Sequence, residues 1–362
     1  MNCKIGLDYK RAGEVDIMKE LKLCEEPLII FGAGMLAEMV THRLRREHIH
    51  YDAICVDGRR AEGAIEYCFE WDEIDSQYEK YNVIVAHAPN LERIKVLRKN
   101  KKISKIFFCH SYDWKLFDAE IVSKHSKEYE HVFKLLQDEY SKECIIAYLN
   151  TRMSGDMQYV FDVFKESNSC FKNTIWSIGE NESFWDIGAY TGNLIHEFLM
   201  VSKGKYKQIV ALEPNKKSFE KLQEFVGMQK GILTFAYGVW NENGYLAFTE
   251  DEGYNQCFRH ALNDEEKTDA IECITLDDLL AESEGLLKPT LLRFNYDGGV
   301  EEALQGAEKI LKQYQPKLVI CIGFDEIGFV NIIHAIRKIN AGYKFYIRFN
   351  RCIASAINLY AI

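Results

Sequence analysis

Asp186, Gly188 and Gly192 lie in the segment Phe184-Trp-Asp-Ile-Gly-Ala-Tyr-Thr-Gly192, where an apolar run breaks into a loop with an acid at the break. The glycines permit a tight turn and a close approach of backbone to a bound group. The carboxylate can accept hydrogen bonds from a cationic or hydroxylated one. A helix-like stretch, Asn193-Leu-Ile-His-Glu-Phe-Leu199, follows at once, and 27 residues after Asp186 a second apolar run, Gln208-Ile-Val-Ala-Leu212, ends in Glu213-Pro214. An acid that ends the second strand of a nucleotide-binding βαβ unit is placed to take both ribose hydroxyls. Together these residues predict an adenosine ligand.

The loop spacing separates two ligand classes. A dinucleotide fingerprint reads G-x-G-x-x-G because a pyrophosphate sits against the helix N-terminus. Asp186-x-Gly188-x-x-x-Gly192 puts a carboxylate where that phosphate would be, which repels phosphate and suits the positive amino-acid end of S-adenosylmethionine. The loop alone also fits an ordinary strand-to-helix turn; the placement of Glu213 favours the ligand.

At 362 residues the chain is long enough for two domains. It is 47% hydrophobic and 28% charged, with net charge −10 and no long basic stripe, which argues against a nucleic-acid partner. The densest basic segment, Arg98-Lys-Asn-Lys-Lys102, reads as a solvated helix end. Eleven cysteines, an odd count without a C-x-x-C pair, suit a reduced compartment and give no metal-ligand spacing. No signal peptide and no apolar run of about 18 residues is visible, so the expectation is a cytoplasmic protein without a membrane span.

The elements that must position these residues fall into an α/β pattern. Near the N-terminus, Pro27–Phe31 reads as a strand, Gly32-Ala-Gly34-Met-Leu-Ala37 as a turn, and Glu38–Glu47 as a helix. A second strand, Tyr51–Val56, ends in Asp57, which makes a Rossmann-like G-x-G-x-x-A with an acid about 20 residues later. Strands at Asn82–Ala86 and Lys105–Cys109 extend an open parallel sheet. Two readings of this fold stay open: a nucleotide or nucleotide-sugar site, or an empty structural fold used for homo-oligomerisation. Helical spacing over Asp118–Glu166 predicts a linker, in which Arg152 reads as a surface residue, with a ligand-facing role as the alternative. The expected domains are 1–117, a helical linker 118–170, and 171–362.

In the C-terminal part, strands are expected at Ser183–Gly188, Gln208–Glu213, Ile232–Tyr237, Thr290–Tyr296 and Lys317–Gly323. A hairpin of Tyr245–Thr249 and Ile271–Thr275 lies within a polar excursion. Tyr343–Phe349 and Cys352–Tyr360, about two residues apart, must pair antiparallel. A parallel sheet closed by one antiparallel hairpin is the class I methyltransferase arrangement.

Phe184-Trp-Asp-Ile-Gly-Ala-Tyr-Thr-Gly192, Ala211-Leu-Glu-Pro-Asn215, Gly238-Val-Trp-Asn-Glu-Asn-Gly244 and Ile274-Thr-Leu-Asp-Asp-Leu279 occur in the order seen in FkbM-type methyltransferases, which residues 130–362 resemble. The N-terminal sheet is similar to a small nucleotide-fold domain found ahead of some of these enzymes. The resemblance implies methyl transfer from S-adenosylmethionine, typically to a hydroxyl of a sugar or similar small polar acceptor. Asp186, Gly188, Ala189 and Gly192 would hold the methionine end, Glu213 the ribose, and Tyr237 and Gly238 would lie along the adenine. The chain departs from the family on the acceptor side. Where the fourth strand usually reads Ile-Lys-Met-Asp-Ile-Glu-Gly-Ala-Glu, this sequence has Leu292-Arg-Phe-Asn-Tyr-Asp-Gly-Gly-Val300, and Gly323-Phe324 replaces a Tyr-His pair.

A methyl bound to a sulfonium is already activated, so the protein supplies alignment, dryness and, for an alcohol acceptor, a base. Asn295 cannot accept a proton, which leaves Asp297; the same residue also fits a helix N-cap ahead of Glu301-Glu302. Arg293 fits either an anion-orienting residue or an edge ion pair, and Tyr296 a wall of the acceptor pocket. His196 and His334 read as surface or core histidines. Two functions remain: a methyltransferase, or a catalytically degenerate relative that binds a nucleotide and acts as a scaffold, to which Asn295 and Val300 point.

Overall fold

The computed structural model describes residues 6–57, 68–88, 90–111, 114–165, 169–227, 229–250, 256–260, 270–296 and 298–362. The chain forms two compact units, one from residues 1–124, 143–166 and 351–357, the other from 125–142, 167–350 and 358–362. The helical stretch 118–170 is therefore divided between them.

The first unit holds a five-stranded sheet of β1 (Leu28–Phe31), β2 (Ala53–Val56), β3 (Cys68–Glu70), β4 (Tyr81–Val85) and β5 (Ile103–Phe108). Its order is β3-β2-β1-β4-β5 and every pair is parallel. β1 and β4 are buried at every position, as parallel strands covered on both faces are. β3 was not expected, because three residues, Cys-Phe-Glu, are too short to show a period. Gly32 (φ 127°) has no room for a side chain, since a Cβ there would come 2.7 Å from the Ala86 carbonyl oxygen. Asp57, which the Rossmann-like pattern places against a ribose, forms an ion pair with Arg93 at 2.5 Å, and that guanidinium lies over the Trp71 and Phe31 rings at 4.8 and 5.1 Å. Arg152 is not a surface residue. It is 2% exposed, its guanidinium sits 4.3 Å above the Phe117 ring, and its carbonyl accepts the Phe117 amide. The helix Glu139–Ser154 is covered all round beyond Ile146, so helical period could not identify a solvent face there.

The second unit carries β6 (Ser183–Ile187), β7 (Gln208–Leu212), β8 (Ile232–Phe235), β13 (Leu291–Phe294), β14 (Lys317–Cys321), β15 (Phe345–Phe349) and β16 (Ile357–Ala361) in the order β15-β16-β14-β13-β6-β7-β8. The β14-β13-β6-β7-β8 pairs are parallel, and β16 runs antiparallel to β14. Lys344 and Ile362 exchange N–H···O bonds in both directions, the mark of antiparallel neighbours. β16 starts later than expected, because a 3₁₀ turn at Ala354–Ala356 precedes it. A second sheet, of order β11-β10-β12-β9, is built from β9 (Gly238–Val239), β10 (Gly244–Glu250), β11 (Gln256–His260) and β12 (Ile271–Ile274). The antiparallel β10–β12 pair was legible and β11 was not.

Asp138 fastens β15 to the helix that begins at Glu139. Its carboxylate accepts two bonds from Arg348, at 3.2 and 2.5 Å, and others from the Ser141 amide and hydroxyl. Burial pushes the carboxyl up, but these donors outweigh it and hold the group at about 2. A folded value below the unfolded one stabilises the fold fully above about pH 4 and is lost as pH falls toward 2. Asp138→Asn should lower stability at neutral pH by about 1 kcal/mol, after allowance for solvent screening of a one-third-exposed group. Urea melts between pH 2 and pH 5 should show a flatter acid limb than wild type; an identical limb would refute the assignment.

Candidate functional site

Within the second unit the chain runs from β6 outward through β7 to β8, then returns to lay β13 and β14 on the other side of β6. The carboxyl ends of β6 and β13 are therefore the switch point of this sheet, where ligands of open α/β sheets sit. Asp186 and Arg293 are register partners across that boundary. Arg293 Nη1 donates to Asp186 Oδ1 at 2.7 Å, with the Asp186 side chain wholly buried and that of Arg293 7% exposed. β13 is an interior strand, so this is not an edge ion pair. Asp186 Oδ2 is buried and has no hydrogen-bond partner. Burial pushes the Asp186 carboxyl above its ordinary value, Arg293 opposes the rise, and Glu197 adds to it.

The glycine loop follows directly on β6 and is tied to the end of β7. The amides of Gly188 and Ala189 donate to the Leu212 carbonyl at 2.9 and 3.0 Å, that of Gly192 donates to Ala189, and that of Tyr190 donates to Glu213 Oε2 at 2.8 Å. Three of these four N–H groups are engaged by the end of β7 and Glu213, and the fourth within the loop. Gly188 (φ 78°) has no room for a side chain, since a Cβ would lie 2.8 Å from the Asn295 carbonyl oxygen and 3.2 Å from the Tyr296 ring. At Gly192 (φ 89°) a Cβ would meet the Phe225 ring at 2.4 Å, so this glycine seats the helix Lys216–Val226.

Glu213 is 7% exposed and accepts the Asn215 amide on Oε1 as well as that of Tyr190 on Oε2, tying the loop to the end of β7. Burial raises its carboxyl and the two amides partly counter that. Two of its roughly four lone-pair positions are thereby used. Tyr237 stacks on Phe235 with ring centroids 6.5 Å apart. Gly238 opens β9, and a Cβ there would fall 2.7 Å from Cys273 Sγ, so its bareness serves packing on β12.

On the acceptor side, the Asn295 amide donates to the Ile187 carbonyl at 3.0 Å, continuing the β6–β13 ladder. Asp297 lies outside the described residues. The N-cap position of the following helix, Val300–Gln305, is Gly299. The Tyr296 hydroxyl is buried without a partner, and burial pushes the phenol far up. His196 packs on Phe225 and His334 on His131. Among the described residues no group of three or more His, Cys, Asp or Glu could hold a metal ion, and no helix is long and apolar enough to cross a membrane. The nine cysteines whose side chains are described are free thiols.

Residues 186–345 match the family model described as Methyltransferase FkbM domain. Among solved structures, the methyltransferase FkbM of Methylobacillus flagellatus KT superposes with TM-score 0.62 over 97% of this chain and 95% of its own, at 16% identity. The fibrillarin of Aeropyrum pernix, in complex with natively bound S-adenosyl-L-methionine, matches 54% of this chain and 73% of its own at 10% identity, with TM-score 0.35. No curated protein matches the chain.

Removing one partner of a buried ion pair leaves an uncompensated charge, which typically costs about 3–5 kcal/mol. Arg293→Met should therefore destabilise the second unit by that amount, whereas Arg293→Lys retains a cation and should lose less than half of it, as read by urea melts. Equal losses in the two variants would show that side-chain packing, not charge, makes Arg293 matter. Gly188→Ala, strained in φ and colliding with backbone, should cost at least about 2 kcal/mol in the same assay.

Proposed function

We propose, from the match of residues 186–345 to the FkbM methyltransferase domain, that the crevice at the carboxyl ends of β6, β7 and β13 binds S-adenosylmethionine and passes its methyl group to a hydroxyl of a small polar or carbohydrate acceptor. The observation that carries this reading is Asp186, wholly buried beneath the glycine loop with one carboxylate oxygen taken by Arg293 and the other without a partner.

The residues present fit the donor. An unsatisfied buried acceptor costs about 1–3 kcal/mol, and the donor's ammonium would meet that need at Asp186 Oδ2. Glu213 keeps lone pairs for the ribose hydroxyls after binding the two loop amides. Gly188, Ala189 and Gly192 are assigned to a close approach of the loop to the ligand, and Tyr237 and Gly238, which follow β8, to the adenine. When bound, the donor supplies an electrophilic methyl on a sulfonium. Transfer forms an O–CH₃ bond, leaves the electron pair of the broken C–S bond on sulfur, and releases the hydroxyl proton. Asp297 is the residue assigned to take that proton, and Asn295 to hold the acceptor by hydrogen bonds.

Titrating the purified protein calorimetrically with S-adenosylmethionine and with S-adenosylhomocysteine tests the reading. Asp186→Asn and Glu213→Ala should each weaken binding at least about tenfold, equivalent to 1.4 kcal/mol. Since the Asp186 carboxyl lies above its ordinary value, protonation should weaken wild-type binding at a higher pH than an ordinary aspartate would. Failure of both ligands to bind the wild-type protein would end the proposal.

A further inference from the structure

Tyr190 breaks a local rule inside the glycine loop. Its backbone is left-handed, with φ 52°, a conformation that strains a bulky residue and that Gly, Asn and Asp adopt far more readily. The turn imposes it: the Gly192 amide closes onto the Ala189 carbonyl at 2.9 Å, and turn positions of positive φ are dominated by those same three residues. The fold gains little from a tyrosine here. The side chain is 45% exposed, between the buried Ala189 and Gly192. Among the described residues its ring meets no other ring and no cation, and its hydroxyl has no hydrogen-bond partner. The bond that fixes the loop at this point, to Glu213 Oε2 at 2.8 Å, comes from the Tyr190 amide and does not involve the side chain. Strain kept without a gain in folding points to a ligand.

The placement of the loop selects which part of the ligand. The loop leaves β6 just after Asp186, whose Oδ2 has no partner, and the Tyr190 amide joins it to Glu213 at the end of β7. In the reading above these two acids take the ammonium and the ribose of the donor. The sulfonium is the atom that joins those two parts of S-adenosylmethionine. It carries a positive charge but no N–H or O–H to donate, and the face of an aromatic ring attracts such a cation without a hydrogen bond.

Resting on the methyltransferase reading above, we infer that Tyr190 is a donor-binding residue, whose ring closes over bound S-adenosylmethionine between Asp186 and Glu213 and holds the sulfonium against its π face. Glycine, asparagine or aspartate would relax the backbone and leave that cation without an aromatic face. Once methyl transfer leaves a neutral thioether, the attraction lapses, so the ring favours the donor over the product.

The test is calorimetric titration of the full chain with S-adenosylmethionine and S-adenosylhomocysteine, in the wild type and in Tyr190→Phe, Tyr190→Ala and Tyr190→Gly. Loss of the ring in the Ala and Gly variants should weaken the sulfonium ligand about fivefold more than the thioether. Tyr190→Phe, which keeps the ring, should retain the wild-type ratio of the two affinities. In urea melts Tyr190→Gly should unfold at a midpoint no lower than that of the wild type, since glycine relieves the strain. The inference is overturned if Tyr190→Gly weakens the two ligands equally or leaves both unchanged. It is overturned too if Tyr190→Phe shifts the ratio as far as Tyr190→Gly, or if Tyr190→Gly melts well below the wild type, which would assign the ring to the fold. An unchanged ratio with both ligands bound sinks this inference alone, while binding of neither ligand to the wild type sinks the methyltransferase reading with it.

Discussion

The buried contact between Asp186 and Arg293 is the constraint around which the second unit is arranged. Two charges inside a sheet covered on both faces are tolerable only as a pair, and the pair forms only if β6 and β13 are adjacent and in register. Once it forms, the end of β6 is fixed relative to the end of β13. The glycine loop that leaves one strand then packs directly on the residues that leave the other. Glu213 completes the frame from β7 by gripping the loop through the Tyr190 amide. Asp186 and Glu213 thus both shape the backbone around the ends of β6, β7 and β13.

The crowding around this frame explains where side chains are absent. Gly188 faces the Asn295 carbonyl, Gly238 faces Cys273, and at Gly299 a Cβ would lie 2.4 Å from the Trp240 ring. Each approach is closer than any side chain allows; the second lies within the β9–β12 pair, and the third sets the start of the helix after β13 against Trp240, the residue after β9. The result is a site of two characters. On the β6–β7 side Asp186 is paired with Arg293 through one oxygen only, and on the β13–β14 side the acids Glu301, Glu302 and Asp325 lie together.

Most strands of the three sheets were legible because buried parallel strands are short apolar runs bounded by turn residues. Cys68–Glu70, Gly238–Val239 and Gln256–His260 were not, the first two too short for a period and the third within a polar stretch whose pairing comes from β10. The acids at 186 and 213 stood out because each ends an apolar run. Their partners did not, since Arg293 is 107 residues from Asp186 and the amides of Tyr190 and Asn215 belong to the backbone. An isolated arginine in the run Leu-Leu-Arg-Phe was a sign that a buried carboxylate must face it; choosing Asp186 required the strand order. Arg152 was misplaced for a related reason, as the later half of its helix has no exposed face to reveal what the guanidinium touches.

The strand order also bears on how the protein is made. β6 emerges from the ribosome 107 residues ahead of its partner cation, which at about 5–20 residues per second is a wait of roughly 5–20 s. Throughout that interval Asp186 has no counter-charge, and the sheet can grow only on the β7 and β8 side. β16, which separates β14 from β15, arrives later still. The nascent second unit therefore passes through an open half-sheet whose β6 edge is covered only when β13 arrives.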